Sequence, residues 1–483
     1  MAILTFKWNF ERSLNCVVFL LFCLSCLHAS EKEIQHVDGT LKYIVETDWL
    51  PVHLKDPSKK AAVFYVAYHV PSVKPRPVTF CFNGGPGSAS VWIHMAGVGP
   101  RSVKTPVLQD FRLPIQVADN PFTLLSVTDL VFVDAVYTGF SRPEPPTPAA
   151  DFFSYNADID CLSNFIDSFI QTHNLGEVPL YLLGCSYGTL RVAGLADALL
   201  NTYHHKVSGL IMLSALLNFQ SLTAAYQQND SPYPLLIPTF AVASWYHSIG
   251  DSRNYTEKEW MDKATAWAAE KYLPALMQGD SLSREERSVI AQEMSAIVGI
   301  DKELIELRNL RLDTNYYIKE LLRKENRTIG RFDIRYKGID SDVNRTAGVE
   351  ADPSYIVMGT IAAGFQDYLK NELHFEVPTT PEYFFLGKAS SWHYVNNGLH
   401  FLCLNKKVST LMERLPEMKI FVGSGIYDLA TPYRVIQNDF SHLNLSQAQL
   451  QNRFILQLYE GGHMFYTDSK IQEKLYQDVK QLY

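Results

Sequence analysis

The chain has 483 residues, of which 47% are hydrophobic, and its formal net charge at pH 7 is −8. This length allows one large catalytic domain with an insertion, or two to three ordinary domains. The charges are spread along the chain, so it lacks the basic patches typical of proteins that bind nucleic acid. No repeat or low-complexity tract interrupts the sequence.

The first 30 residues differ in composition from the rest. Two basic residues precede an apolar run at 14–27, and the small residues Ala29 and Ser30 follow it. This order predicts a cleaved signal peptide over 1–30 and a periplasmic or extracellular protein with no integral membrane span after cleavage. An uncleaved anchor is the alternative, although the apolar run is short for a bilayer core of ~30 Å. A lipoprotein form modified at Cys26 is a second alternative.

Apolar runs that each end in a turn containing Gly or Asp predict the strands. They barely alternate between apolar and polar residues, which is typical of strands buried on both faces of a parallel sheet. Helical spacing separates several of them, and Ser469 with Gln472 predicts a capping box at the start of a C-terminal helix. The alternation predicts an open α/β sheet. In chain order the runs are 77–85, 129–139, 178–186, 207–215, 418–428 and 452–463.

The alternation of strands and helices breaks down in the middle of the chain. A capping box at Ser283 and Glu286 and several charged amphipathic stretches predict helices there. Because strand-like runs resume afterwards, we interpret 216–385 as a mainly helical cap inserted between two parts of the core, 31–215 and 386–483. An independent helical domain is the alternative.

The third run ends in the pentapeptide GCSYG, with Ser186 at its centre. A G-x-S-x-G motif alone is a weak signal. Here it follows a predicted buried strand and precedes a helical pattern, and such a strained turn lifts a serine hydroxyl clear of the sheet. Ser186 is therefore the candidate nucleophile.

A serine nucleophile needs a base, and the base needs an acid that holds its tautomer. His463, in EGGHMFY, and Asp428, in GSGIYDLATP, each follow a strand run. The order Ser, Asp, His, each at the carboxyl end of a strand, is that of α/β hydrolases. The glycine loop after the first run predicts an oxyanion hole in which Gly85 and Tyr187 donate backbone N–H groups.

Four ordered segments resemble the serine carboxypeptidases, most closely their bacterial branch: FNGGPGSASVW, GCSYGT, GIYDLATP and GGHMFY. The stretches at 120–142 and 330–338 add to the match. The resemblance implies an α/β-hydrolase fold with a central, mostly parallel sheet and a helical cap, no metal or other cofactor, and removal of C-terminal residues from peptide substrates. By position it implies a triad of Ser186, Asp428 and His463, an oxyanion hole of Gly85 and Tyr187, and carboxylate binding by Asn83 and Gly84. The oligomeric state has no signal in the sequence.

The chain departs from the family pattern beside the nucleophile. The family's Glu before the serine is replaced by Cys185, and the positions of a second Glu and of a Trp hold Gly97 and Cys81. Two carboxyls that share a proton bind a substrate carboxylate only at acidic pH. Without them we expect weaker carboxylate selectivity and an optimum nearer neutral pH, set by His463.

Other groups must then hold the terminal carboxylate of a peptide. Asn83, backbone N–H groups or a cation such as Arg101 or Arg191 are the candidates, and either arginine is as readily structural. The strands that carry Cys81 and Cys185 should be neighbours, so these cysteines form either a disulfide or two buried thiols.

Two further functions are compatible with the same residues. An esterase or acyltransferase would keep the triad, and the missing Glu favours it. A peptide-binding protein without catalysis would not require Ser186, Asp428 and His463 together.

Overall fold

The computed structural model describes residues 28–105, 115–223, 229–348, 352–375, 392–394 and 401–483. The predicted signal peptide and Cys26 lie outside the described residues, except that residues 28–30 begin the first strand. Ser30 pairs there with Val45 of the next strand. No helix in the described ranges is long and apolar enough to cross a membrane.

A ten-stranded sheet forms the centre of the molecule. All six strands predicted from the apolar runs are present in it, and the residues of the first two are buried throughout, as expected for strands covered on both faces. The strands are β1 (His28–His36), β2 (Gly39–His53), β3 (Lys60–His69), β4 (Val78–Phe82), β5 (Arg101–Val103), β6 (Val117–Asp119), β7 (Asp129–Val133), β8 (Arg142–Pro143), β9 (Leu180–Cys185), β10 (Val207–Leu213), β11 (Arg327–Ile329), β12 (Lys337–Ile339), β13 (Lys419–Gly425) and β14 (Phe454–Tyr459).

The strand order brings the carboxyl ends of the parallel strands to one edge. The order is β1-β2-β3-β7-β4-β9-β10-β13-β14, and all neighbours from β7 to β14 are parallel. Strands β1 to β3 add an antiparallel side that the apolar runs did not predict. The turns after β4, β9, β13 and β14 therefore meet where α/β enzymes place their sites.

Helices cover both faces of the sheet. On one face Phe165 and Leu190 pack with Leu182 of β9, and on the other Trp92 and Phe365 pack with strand residues. The helices are α1 (Val91–Ile93), α2 (Tyr155–Thr172), α3 (Tyr187–Ala198), α4 (Phe219–Leu222), α5 (Pro232–Tyr246), α6 (Glu257–Trp267), α7 (Leu273–Gln278), α8 (Arg284–Val298), α9 (Lys302–Leu307), α10 (Thr314–Glu320), α11 (Ile356–Asp367), α12 (Asn405–Arg414), α13 (Tyr433–Ser441), α14 (Gln447–Leu450) and α15 (Ser469–Val479).

The chain between the adjacent strands β10 and β13 contains its own apolar cluster. Helices α5 to α10 enclose this cluster, in which Trp260 and Tyr317 are fully buried. The predicted capping box is confirmed, since Ser283 Oγ accepts a hydrogen bond from Glu286 N–H at 3.2 Å. Helix α11 instead packs on the sheet through Phe365. The boundaries of the cap at 216 and 385 stay a prediction, and 385 lies outside the described ranges.

The predicted cap of the C-terminal helix is wrong by one residue. Asp468 is the N-cap of α15, and its carboxylate accepts a hydrogen bond from Lys470 N–H at 2.9 Å. Gln472 instead donates its side-chain amide to the carbonyl of Ala96 at 2.9 Å. Aspartate caps helices as well as serine does, so the earlier of two suitable residues starts the helix.

Candidate active site

Ser186 occupies a sharp turn between β9 and α3. Its φ of 61° and ψ of −131° lie in a region that non-glycine residues rarely adopt. The Ser186 N–H donates to the carbonyl of Leu213, at the end of β10, over 2.9 Å. The strained turn is thus fixed to the neighbouring strand, and its side chain lines a cavity at the sheet edge.

The glycines around Ser186 allow backbones to approach closely. A Cβ added to Gly184 would lie 2.2 Å from the carbonyl oxygen of Gly188, and one on Gly188 would lie 2.8 Å from that of Phe82. A Cβ on Gly84 would lie 2.5 Å from Tyr187 N. No side chain fits at these three positions without moving the main chain.

Asp428 and His463 meet at the ends of β13 and β14. Asp428 is fully buried, and its Oδ2 lies 2.7 Å from His463 Nδ1. The carboxylate also accepts hydrogen bonds from Ala430 N–H, at 2.7 Å, and from the N–H and hydroxyl of Thr431, at 3.0 and 2.7 Å. Because a carboxylate only accepts, Nδ1 carries the proton and His463 Nε2 is left as the basic nitrogen.

The His463 loop is fixed from two directions. Its N–H donates to the carbonyl of Phe332 at 2.5 Å, and its carbonyl accepts from the Ser214 hydroxyl at 2.7 Å. The imidazole packs on the Phe332 ring with 4.4 Å between centroids. These contacts keep the imidazole of His463 in the orientation in which its Nδ1 is hydrogen-bonded to Asp428.

A cavity of about 700 Å³ brings the predicted residues together. Ser186 and His463 line it with Asn83, Gly84, Gly85 and Tyr187, and Asp428 lies behind His463, outside the lining. No hydrogen bond joins the Ser186 hydroxyl directly to His463 among the described contacts. Catalytic hydrogen bonds of this kind often tighten only when substrate binds.

Two residues of the cavity lining, Gly85 and Tyr187, have backbone amides that lack an acceptor in the described part of the chain. Neither Gly85 N–H nor Tyr187 N–H donates to another residue within the described ranges. Tyr187 is the first residue of α3, where the helix dipole favours negative charge. Amides in this state can stabilise an oxyanion that forms on a carbonyl bound at Ser186.

The sequence profile of the serine carboxypeptidases matches residues 45–456. The chain belongs to the serine carboxypeptidase family. Its sequence matches no curated protein.

A solved carboxypeptidase structure shares the fold of this family member. Kex1(delta)p, a prohormone-processing carboxypeptidase from Saccharomyces cerevisiae, is 13% identical over 91% of both chains, with a TM-score of 0.54. A proline iminopeptidase from Mycobacterium smegmatis is 12% identical over 90% of this chain and 98% of its own, with a TM-score of 0.36. The resemblance to serine carboxypeptidases and the predicted α/β-hydrolase fold are therefore confirmed.

The cysteines that replace family residues are free thiols. Cys185 is buried, and its Sγ lies 3.6 Å from the Tyr466 hydroxyl. Burial raises the pKa of Cys185 to about 12, so it stays a neutral thiol. Cys81 donates its thiol to the carbonyl of Thr79 at 3.8 Å. Of the two alternatives for this pair, the buried thiols are present and the disulfide is not.

Tyr466 lies against both positions, Cys185 and Gly97, at which the resemblance implies glutamates in the family. A Cβ on Gly97 would lie 3.3 Å from the Tyr466 ring, and the Tyr466 hydroxyl interacts with Cys185 and Asn83. Burial raises the pKa of Tyr466 well above its ordinary value, so its hydroxyl stays protonated. It lines the cavity as a neutral hydrogen-bonding group.

The two arginines considered for carboxylate binding are structural. Arg191 is 1% exposed and pairs with Asp158 at 2.9 Å. Arg101 pairs with Asp119 and Glu372, at 2.6 Å from the latter, and does not line the cavity. The sequence showed their charge but not these partners, which are distant along the chain.

The cavity wall includes residues that were not predicted as functional, among them Arg331, Phe332 and Thr431. The first two belong to the stretch 330–338, which contributed to the family match without a role. Thr431 follows Asp428 by three residues, a spacing that allows a side chain to bond back to the carboxylate. This spacing was the signal in the sequence that could have identified Thr431.

The described residues contain no group of three or more His, Cys, Asp or Glu side chains that could hold a metal ion.

Proposed function

We propose that the protein removes C-terminal residues from peptides through an acyl-enzyme formed on Ser186. The observation that supports this most is the buried Asp428–His463 pair in the same site as a strained serine and two amides without acceptors. Family membership makes a peptidase of the serine carboxypeptidase type the expected activity.

In the first step His463 Nε2 takes the proton of the Ser186 hydroxyl as Oγ attacks the carbonyl carbon of the last peptide bond. The negative charge that develops on the carbonyl oxygen is stabilised by the N–H groups of Gly85 and Tyr187. Asp428 stabilises the imidazolium through the 2.7 Å hydrogen bond to Nδ1.

In the second step the C–N bond breaks, and His463 transfers the proton to the departing amine. A water molecule then attacks the acyl carbon, with His463 again acting as base. The products are the shortened peptide and one free amino acid, and Ser186 regains its proton.

The pH range follows from the groups that line the site. No carboxylate lines the described part of the cavity, and the Tyr466 hydroxyl stays protonated. Carboxylate recognition therefore needs no shared acidic proton. We expect activity on free-acid peptides to persist from pH 6 to 8, and a profile that collapses above pH 6 contradicts this.

Export through the predicted signal peptide is part of the proposal, which makes the protein a periplasmic or extracellular enzyme with peptides as its partners. Mass analysis of the mature N-terminus tests this part directly. A free N-terminus within a few residues of 30 supports cleavage, and an intact Met1 contradicts it.

A second candidate is ester hydrolysis or acyl transfer on the same triad. The observation in its favour is the neutral Cys185–Tyr466 pair beside the serine, which offers no carboxyl to a substrate carboxylate. The reaction would use the same acyl-enzyme and differ in the leaving group and the acceptor.

One substrate series separates these functions. An N-blocked dipeptide is offered as free acid, amide and ester between pH 4 and 8, with Ser186→Ala as the blank. Cleavage of the free acid well above the amide supports the carboxypeptidase. Cleavage of the ester alone supports the second candidate, and turnover by Ser186→Ala equal to that of the wild type contradicts both.

A further inference from the structure

Arg331 is the one permanently charged side chain among the described residues that line the cavity. Its guanidinium contacts the Phe332 ring at 5.0 Å and makes no ion pair or hydrogen bond with another described residue. Arg335, four positions on, pairs instead with Asp333 at 2.7 Å. An unpaired guanidinium in a mostly apolar cavity is a ready binding group for an anion.

The main chain of Arg331 is held close to the catalytic residues. Its N–H donates to Asp352 Oδ2 at 2.9 Å, and its carbonyl accepts from Leu429 N–H, next to Asp428, at 3.0 Å. The Phe332 ring contacts both groups, since its centroid is 5.0 Å from the guanidinium and 4.4 Å from the centroid of the His463 ring. These hydrogen bonds hold the backbone of Arg331 beside His463, and the Arg331 side chain takes no part in them.

The positions of the catalytic groups determine which part of a bound substrate lies beside Arg331. The oxyanion amides of Gly85 and Tyr187 hold the carbonyl oxygen, and His463 delivers a proton to the departing nitrogen. The departing residue therefore lies on the His463 side of Ser186. In a peptide cut at its last bond, the α-carboxylate belongs to the same residue as that nitrogen and lies within a few Å of it.

We propose that Arg331 binds the α-carboxylate of the substrate's C-terminal residue and so selects free-acid peptides. This rests on the proposed function of the site as an exopeptidase. Arginine presents two parallel N–H donors to a carboxylate, and the pair remains charged at any pH at which both groups are ionised. Arg331 thus supplies the carboxylate recognition that Arg101 and Arg191 do not supply, because both form ion pairs with other residues.

The test compares the free-acid and amide forms of one N-blocked dipeptide with wild type, Arg331→Met and Arg331→Gln. Charge-assisted hydrogen bonds contribute enough to expect a fall of about 10- to 100-fold in kcat/KM for the free acid. For the amide, kcat/KM should change less than about 3-fold, because no carboxylate is lost. Arg345→Met is the matched control, since Arg345 is exposed and outside the cavity, and it should leave both values unchanged.

Hydrolysis of the blocked ester reports whether each variant is folded with a working triad. If Arg331→Met loses ester turnover as well, Arg331→Gln, which keeps a polar side chain of similar length, decides the matter. An unchanged acid-to-amide ratio in a variant that still cleaves the ester overturns the proposal. So does a loss restricted to substrates with Asp or Glu as the last residue, because the side chain would then be the anion bound.

The two proposals fail in different ways. A wild type that cleaves the free acid no better than the amide refutes the exopeptidase, and with it the role of Arg331. A wild type that prefers the free acid, with variants that keep this preference, supports the exopeptidase and refutes Arg331 alone.

Discussion

The two sides of the cavity are built in different ways. The nucleophile side, residues 83–88 and 184–188, consists of two turns whose backbones touch, and a Cβ on Gly84 would lie 2.5 Å from Tyr187 N. The histidine side, residues 330–332, 428–431 and 463, joins three distant segments through hydrogen bonds. The first side depends on close packing between backbones and the second on hydrogen bonds, so substitutions should damage them differently.

The largest effect is expected from Asp428→Asn on the histidine side. The amide would present an N–H to His463 Nδ1 and favour the wrong tautomer, so kcat should fall about 10⁴-fold with little change in fold. Steady-state kinetics with a thermal unfolding curve checks both parts. A loss of less than tenfold would show that Asp428 does not hold the base.

On the nucleophile side a methyl group should act through the fold. The Cβ of Gly188→Ala would lie 2.8 Å from the Phe82 carbonyl and 3.0 Å from that of Asn83, and we expect the free energy of unfolding to drop by about 3 to 4 kcal/mol. Gly176→Ala is the control, because nothing lies within 4 Å of its added Cβ. Equal stability of the two variants, measured by denaturant titration, contradicts the steric account.

A third wall, formed by the loop 216–222, gives a smaller effect that depends on pH. Asp439 accepts the N–H groups of Leu217 and Asn218 and the Ser221 hydroxyl, and burial raises its pKa from 3.8 to about 6. The folded state therefore binds its proton more strongly than the unfolded state between pH 4 and 6. Stability from this group falls by about 2 to 3 kcal/mol as pH rises through that window and is constant above it.

Asp439→Asn removes this dependence. The difference in free energy of unfolding between wild type and variant should change by that amount from pH 4 to 7, since other titrating groups cancel. Denaturant titrations at several pH values measure it. A difference that does not vary with pH shows that the carboxyl titrates normally.

The smallest effect is expected from Thr431→Val on the histidine side. It removes the hydroxyl that donates to Asp428 Oδ2 at 2.7 Å and keeps two backbone donors. We expect kcat to fall about tenfold at constant KM, because one hydrogen bond to a charged group is lost. A change in KM alone would instead place Thr431 in substrate binding.

The same contrast explains what could be predicted from the sequence. On the nucleophile side the close backbone contacts require glycines at fixed spacing, so Ser186 and its neighbours form a readable motif. Asp428 and His463 were predictable because each follows an apolar strand, which is buried in the case of β13 and half-buried in the case of β14.

The rest depends on contacts that the sequence does not display. Arg331 follows β11, in the chain between β10 and β13, and meets Leu429 only through the tertiary fold. The partners of Arg101 and Arg191 are equally remote, so their charges suggested a role that their ion pairs exclude. Strand β2 was missed because its centre alternates buried and partly buried residues instead of forming one apolar run, whereas β3 is a largely buried apolar run that was not predicted as a strand.

The most direct test of the account asks whether the nucleophile side and the histidine side of the cavity act together on the Ser186 hydroxyl. Wild type, Asp428→Asn and Ser186→Ala are treated with diisopropyl fluorophosphate and mapped by peptide mass spectrometry. The account predicts one equivalent of label on Ser186 in the wild type, much slower labelling in Asp428→Asn and none in Ser186→Ala. Label on another residue, or an unlabelled Ser186 in folded wild type, would contradict it.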